Sequence, residues 1–197
     1  MEIHVITDGK KTVDELVEVI TEFHQEADYI HIREKTKTAK ELVQLVTRLI
    51  DNGIDKRKLV INDRLDVALM RDIPNIHLPG HSFSIKEVKT NYPEMRVGSS
   101  IHSVEEAIQC EAEGADYLLF GHIFATNSKM NLPGRGIPKL EKVCRAVNIP
   151  VIAIGGITPE KAAEISAAKA AGMAVMSYVL SSDNPKEAAR KLKLGVK

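Results

Sequence analysis

Eight short apolar runs, at residues 3–6, 29–32, 59–61, 76–78, 95–97, 117–120, 151–154 and 173–176, punctuate the chain with room for one helix between most neighbours. Runs this short and this continuously apolar read as strands covered on both faces. The segments between them have helical periodicity. "TVDELVEVITEFHQE" offers Thr12 as a cap and apolar positions at Val13, Leu16, Val17 and Ile20. "SVEEAIQCEAEG" opens with Ser103 three residues before Glu106, the spacing of a capping box, and ends on Gly114. The gap after Ile61 is too short for a full helix to be placed. Strand and helix alternating about eight times in 197 residues predicts an α/β protein, a TIM (β/α)8 barrel, with a doubly wound open sheet as the other arrangement. No linker or composition shift divides the chain, so residues 1–197 are expected to form a single TIM-barrel domain.

The remaining bulk properties narrow the function classes. Lys and Arg number 27, Asp and Glu also 27, and no basic block stands out, which argues against nucleic acid as the partner. No window approaches the roughly 18 uninterrupted apolar residues of a membrane span. Cys110 and Cys144 have no metal-ligand spacing, so neither a zinc site nor a disulfide framework is expected, and a reducing cytoplasm fits best.

A barrel of this kind carries its site at the carboxyl ends of the strands. Those positions are polar here. "HIREK" follows the second run, and period-two alternation predicts His31, Arg33 and Lys35 on one face, directed at the mouth. Two cations so placed call for an anionic ligand. "NDRLD" supplies Asn62 and Asp63, to orient a substrate or bind a hydrated cation, or to cap a helix. "GSSIH" after the fifth run offers Ser100 and His102, and "ATNSK" after the sixth offers Thr126, Ser128 and Lys129. Gly155 and Gly156 after the seventh run, with Met176 and Ser177 at the eighth, occupy the usual phosphate seat of such barrels. "LPGRG" (132–136) reads as a glycine-rich connector whose Arg135 lies near the mouth. His122, where the sixth run meets a polar loop, is either a base or a buried histidine bonded to a carbonyl.

Taken in order, "HIREK", "NDRLDVA", "IHLPG", "VGSSIHS", "GADYLLFGHIFATNSK", "IPVIAIGGITPE" and "GMAVMS" resemble the thiamine phosphate synthase superfamily over nearly the whole chain. The resemblance has two departures. His122 stands where the synthases have a proline, and Ser82 where they have an acidic magnesium ligand. Both are similar to the thiazole tautomerase (TenI-type) branch. That branch implies an isomerase of thiamine biosynthesis converting a carboxylated ylidene-thiazoline ethyl phosphate to the aromatic carboxythiazole phosphate, with His122 as acid/base residue and His31 as second candidate. It implies no metal and no cofactor. The thiazole phosphate substrate would be held by Gly155, Gly156, Met176 and Ser177, while Arg33, Lys35, Asn62, Ser100, Thr126, Ser128 and Lys129 match synthase substrate-binding positions. A thiamine phosphate synthase, joining hydroxymethylpyrimidine diphosphate to thiazole phosphate, and a non-catalytic sensor of a thiamine intermediate are the other readings. Homo-oligomerisation is left open.

Overall fold

The computed structural model describes residues 1–126 and 132–195. Among them, eight parallel strands close into a barrel in sequence order: β1 (Glu2–Ile6), β2 (Tyr29–Ile32), β3 (Leu59–Asn62), β4 (Asn75–Leu78), β5 (Arg96–Ile101), β6 (Tyr117–Gly121), β7 (Val151–Ile154) and β8 (Gly172–Val175), with β8 pairing back to β1. This is the TIM barrel that the alternation predicts. Helices α1 (Val13–Phe23), α2 (Ala39–Asp51), α3 (Leu65–Met70), α4 (Ile85–Asn91), α5 (Val104–Ala112), α6 (Ile137–Ala146), α7 (Ala162–Ala167), α8 (Ser177–Leu180) and α9 (Pro185–Leu194) accompany the strands.

Local chemistry starts several of these helices where the chain needs them. Thr12 caps α1 in a reciprocal box with Glu15, and Thr38 with Glu41 and Ser84 with Glu87 repeat the device at α2 and α4. The box expected at α5 is only half formed. Ser103 accepts from the Glu106 N–H, but the Glu106 carboxylate reaches back to the His102 N–H at 2.6 Å. The short gap after β3 holds a helix after all, α3, of six residues.

Each strand has two different sides. Ile3, Val5, Ile30, Ile32, Ile61, Ile76, Leu78, Leu118 and Phe120 point outward into a continuous aliphatic layer beneath the helices. That layer carries the stability, at about 25 cal/mol for each Å² of apolar surface removed from water. The inward side alternates with it. Ile6, Tyr117, Leu119, Ile152 and Ala174 form a separate cluster inside the barrel, while His4, His31 and His77 are buried with them. Gly98 makes room for this filling, because a Cβ there would stand 1.9 Å from the Tyr117 ring. The fifth strand is longer than its apolar run. It continues through Gly98, Ser99 and Ser100, so Ser100 is a strand residue and does not sit in the loop beyond.

Candidate active site

The carboxyl ends of the strands open into a cavity of about 1680 Å³. Its wall includes Arg33, Lys35, Asn62, Asp63, Ser100, His122, Thr126, Gly155, Gly156, Met176 and Ser177. The structure thus brings these described positions together, while His31 and Arg135 are not in the wall; Ser128 and Lys129 lie outside the described residues. Sequence reasoning passed over several cavity residues, among them Asp8, Lys10, Glu34 and Lys37. Glu34 is the most informative of these. Buried in the mouth, it accepts from the Gly9 N–H at 3.2 Å and from the Lys37 ammonium at 2.7 Å, pinning the first loop to the second. A lone acidic residue between two cations in "REK" was its only signal.

The pairing of the cavity cations separates them into two groups. Lys10 pairs with Asp8 at 3.5 Å, Lys37 with Glu34, and Arg64 with Asp66. Arg33 and Lys35 have no carboxylate within ion-pair distance among the described residues. The expected strand alternation does not extend to them, since β2 ends at Ile32 and Lys35 is an exposed turn residue. Both nevertheless line the cavity. His31 does not join them. It is fully buried inside the barrel with its Nε2 2.9 Å from His4 Nδ1, which removes it from contact with a ligand.

Asn62 ends β3, and Asp63 follows with a left-handed backbone, φ 70°. Aspartate tolerates that region better than most residues. The turn projects the carboxylate into the cavity, where His81 Nε2 lies 3.7 Å away. Beyond it, Ser82 has a buried Oγ with no hydrogen-bond partner among the described residues.

Across the mouth, β6 and β7 continue into two loops that are laced together. The N–H groups of Ile123 and Phe124 donate to the carbonyls of Ile154 and Gly155, at 2.9 and 3.1 Å. Gly155 and Gly156 have φ of 103° and 64°. Added Cβ atoms would meet the His122 side chain and the Ala125 carbonyl, each at 2.3 Å. Close loop packing therefore requires both glycines here, independently of any ligand.

His122 is only 7% exposed. Its Nε2 lies 3.2 Å from the Leu132 carbonyl, which can only accept, so Nε2–H donates, while Nδ1 is buried with no hydrogen-bond partner among the described residues. This is the carbonyl-bonded histidine of the second sequence reading. Arg135, expected as a connector residue, braces the same corner by donating from Nε to the Gly121 carbonyl at 2.8 Å.

Inside the barrel, burial holds the His4 and His31 imidazoles below the ordinary histidine range, and burial, followed by the neighbouring His4 and Arg33, pushes His77 down to about 3. All three are neutral at pH 7. The Glu2 carboxylate accepts from His4 Nε2 at 3.2 Å, leaving His4 Nδ1 to accept from His31 Nε2. His31 Nδ1 is then the bare acceptor, without a partner among the described residues.

Comparison with known proteins favours the synthase names over the tautomerase. The chain matches the family model described as "Thiamine monophosphate synthase" over residues 3–179. It is 40% identical to the thiamine-phosphate synthase of Chlorobium luteolum over 169 residues, covering 84% of this chain and 80% of that protein. It is 31% identical to that of Pyrococcus furiosus over 195 residues, 98% of this chain and 93% of the other. The solved thiamine phosphate pyrophosphorylase from Pyrococcus furiosus superposes with a TM-score of 0.82 at 30% identity, covering 99% and 95% of the two chains. A 3-hexulose-6-phosphate synthase structure, TM-score 0.81 at 16% identity, shares the fold. The relatives' names overturn the tautomerase expected from Ser82 and His122. The isomerase class loses its support with it, because two changed positions weigh less than identity spread along the whole barrel. The chain belongs to the thiamine monophosphate synthase family.

Proposed function

We propose that this chain, acting as one domain, is a transferase that joins hydroxymethylpyrimidine diphosphate to thiazole phosphate, giving thiamine phosphate and diphosphate. A bond forms between the thiazole nitrogen and the pyrimidine's exocyclic methylene carbon, the carbon–oxygen bond to diphosphate breaks, and diphosphate leaves with the electron pair. The observation that carries this reading is the pairing state of the cavity cations. Three have their own carboxylates, while Arg33 and Lys35 face the cavity without one among the described residues. Cations fixed where negative charge develops on a leaving group lower the barrier without reorganising during the reaction. The names of the family members support it further.

The other residues take roles consistent with their places. Gly155 and Gly156, the Met176 backbone and Ser177 form the seat for the thiazole phosphate. Asn62, Ser100 and Thr126 orient the pyrimidine diphosphate, with Ser128 and Lys129 as further contacts from the sequence resemblance. Orienting two substrates in one cavity makes the coupling effectively unimolecular, which is worth several kcal/mol.

The family resemblance implies magnesium. Among the described residues no group of three His, Cys, Asp or Glu side chains is placed to form a protein cage for a metal. Magnesium is commonly held by one or two carboxylates with substrate phosphates and water, and the projecting Asp63 carboxylate fits that smaller requirement. Asp63 would hold the ion; when bound, it neutralises charge on the diphosphate. Ser82 offers a hydroxyl where the synthases have a second acid.

The test is to incubate the protein with both substrates and magnesium and to follow thiamine phosphate and diphosphate together. Equal release of the two is expected. Binding of both substrates without turnover would overturn the enzyme reading and leave a sensor.

A further inference from the structure

The cavity wall contains a hydroxyl whose hydrogen bond is dictated from inside the barrel. His77, on β4, is 2% exposed, and its two ring nitrogens have two different partners. Nδ1 lies 3.2 Å from the Tyr117 hydroxyl, and Nε2 lies 2.8 Å from Ser100 Oγ. Tyr117 is fully buried, whereas Ser100 borders the cavity.

A neutral imidazole has one N–H and one bare nitrogen, so only two arrangements exist. If Nδ1 carried the proton, it would donate to the Tyr117 oxygen. The Tyr117 O–H would then be a buried donor with no acceptor among the described residues. If Nε2 carries the proton, Tyr117 donates to Nδ1 and Nε2–H donates to Ser100 Oγ. Every buried donor is then used. Since an unused buried donor costs about 1–3 kcal/mol, the second arrangement dominates. Its consequence appears at the surface. Ser100 already accepts from His77, so its own hydrogen points elsewhere, and the cavity is the open direction.

We propose that Tyr117 and His77 act as positioning residues that turn the Ser100 hydroxyl into a hydrogen donor for an anionic oxygen of the bound substrate. This deepens the reading of the cavity as a diphosphate site and rests on it for the identity of the ligand. The relay runs one way: Tyr117 to His77, His77 to Ser100, Ser100 to ligand. The register explains how distant residues meet. His77 pairs with Gly98, Ser100 lies two residues further along the same face of β5, and Gly98 pairs with Tyr117 across the next ladder.

The first test is nitrogen NMR of the His77 ring in the ligand-free wild-type protein. A protonated Nε2 with a bare Nδ1 is expected, and a protonated Nδ1 would overturn the relay. Tyr117→Phe should move the Nδ1 resonance to that of a nitrogen accepting no hydrogen bond; an unmoved resonance overturns the part assigned to Tyr117.

The second test is calorimetric binding of inorganic diphosphate in the presence of magnesium. Ser100→Ala should weaken it about ten-fold, in the range of a hydrogen bond to a charged group. His77→Leu should weaken it by several-fold, the double variant should lose little beyond Ser100→Ala alone, and His77→Gln, which keeps an N–H toward Ser100, should recover most of the affinity. Additive losses, or a Gln variant as weak as Leu, would overturn the proposal. The ring measurement needs no substrate, so a failed synthase assay and a wrong tautomer are separate results.

Discussion

The inside of this barrel is built from two unlike halves. From β6 to β8, and from the end of β1, come Leu119, Ile152, Ala174 and Ile6, a dry aliphatic wedge. From β1 to β5 come His4, His31, His77, Arg96 and Ser100, with Tyr117 at the seam. Arg96 packs over the rings of both Tyr29 and Tyr117, at 4.3 and 4.1 Å from their centroids. The difference is one of what each half can specify. Packing in the wedge sets distances and is indifferent to direction. Hydrogen bonds in the histidine half set directions, and they do so only while each ring keeps one particular proton.

Acid should expose the contrast most strongly. Unfolded, His77 takes up a proton near pH 6.5; folded, it does so only near 3. The unfolded chain therefore binds more protons in between, so stability is full above pH 6.5 and falls as pH drops toward 3. Each histidine held neutral removes about 1.4 kcal/mol per pH unit in its window. Urea midpoints at pH 7.5, 6.5 and 5.5 should fall with pH, and His77→Leu should flatten the slope. An unchanged slope would break the comparison.

The aliphatic half should answer to volume alone. Ile152→Ala should cost roughly 3 kcal/mol in urea unfolding, nearly independent of pH. At the mouth, Arg33→Ala should lower kcat/KM for the pyrimidine diphosphate by about 30-fold while changing stability by less than about 0.5 kcal/mol, since its guanidinium has no acidic partner to lose. Lys35→Ala, at a more exposed position, should cost about five-fold in the same assay. A stability loss in Arg33→Ala as large as that of Ile152→Ala would show that the mouth carries structure as well as function.

The outward faces made the barrel legible, because each strand there is aliphatic whatever its other side holds. The inward side is where reading the sequence failed. β5 was cut short because Gly98, Ser99 and Ser100 are not apolar, yet Gly98 is small so that Tyr117 can fill the axis. "HIREK" was read as one alternating face, but the strand stops at Ile32, so His31 is sealed inside while Arg33 and Lys35 reach the cavity by other routes. His77 lies in the apolar run of the fourth strand and packs inside the barrel. Its bond to Ser100 was not legible, since that depends on the register between β4 and β5. His122 looked like a base because of its place at a strand end, while the Leu132 carbonyl that occupies its Nε2 lies ten residues on. The branch of the family was misjudged for a related reason: two conspicuous departures outweighed the ordinary positions between them.

The lacing of the β6 and β7 loops has a consequence for altering selectivity. His122 rests on Gly155, Ala125 on Gly156, and two amides stitch the strands' continuations together. One side of the mouth is therefore a coupled unit: a change that puts a side chain at Gly155 or Gly156 collides with the loop after β6, so altering either loop there requires altering both.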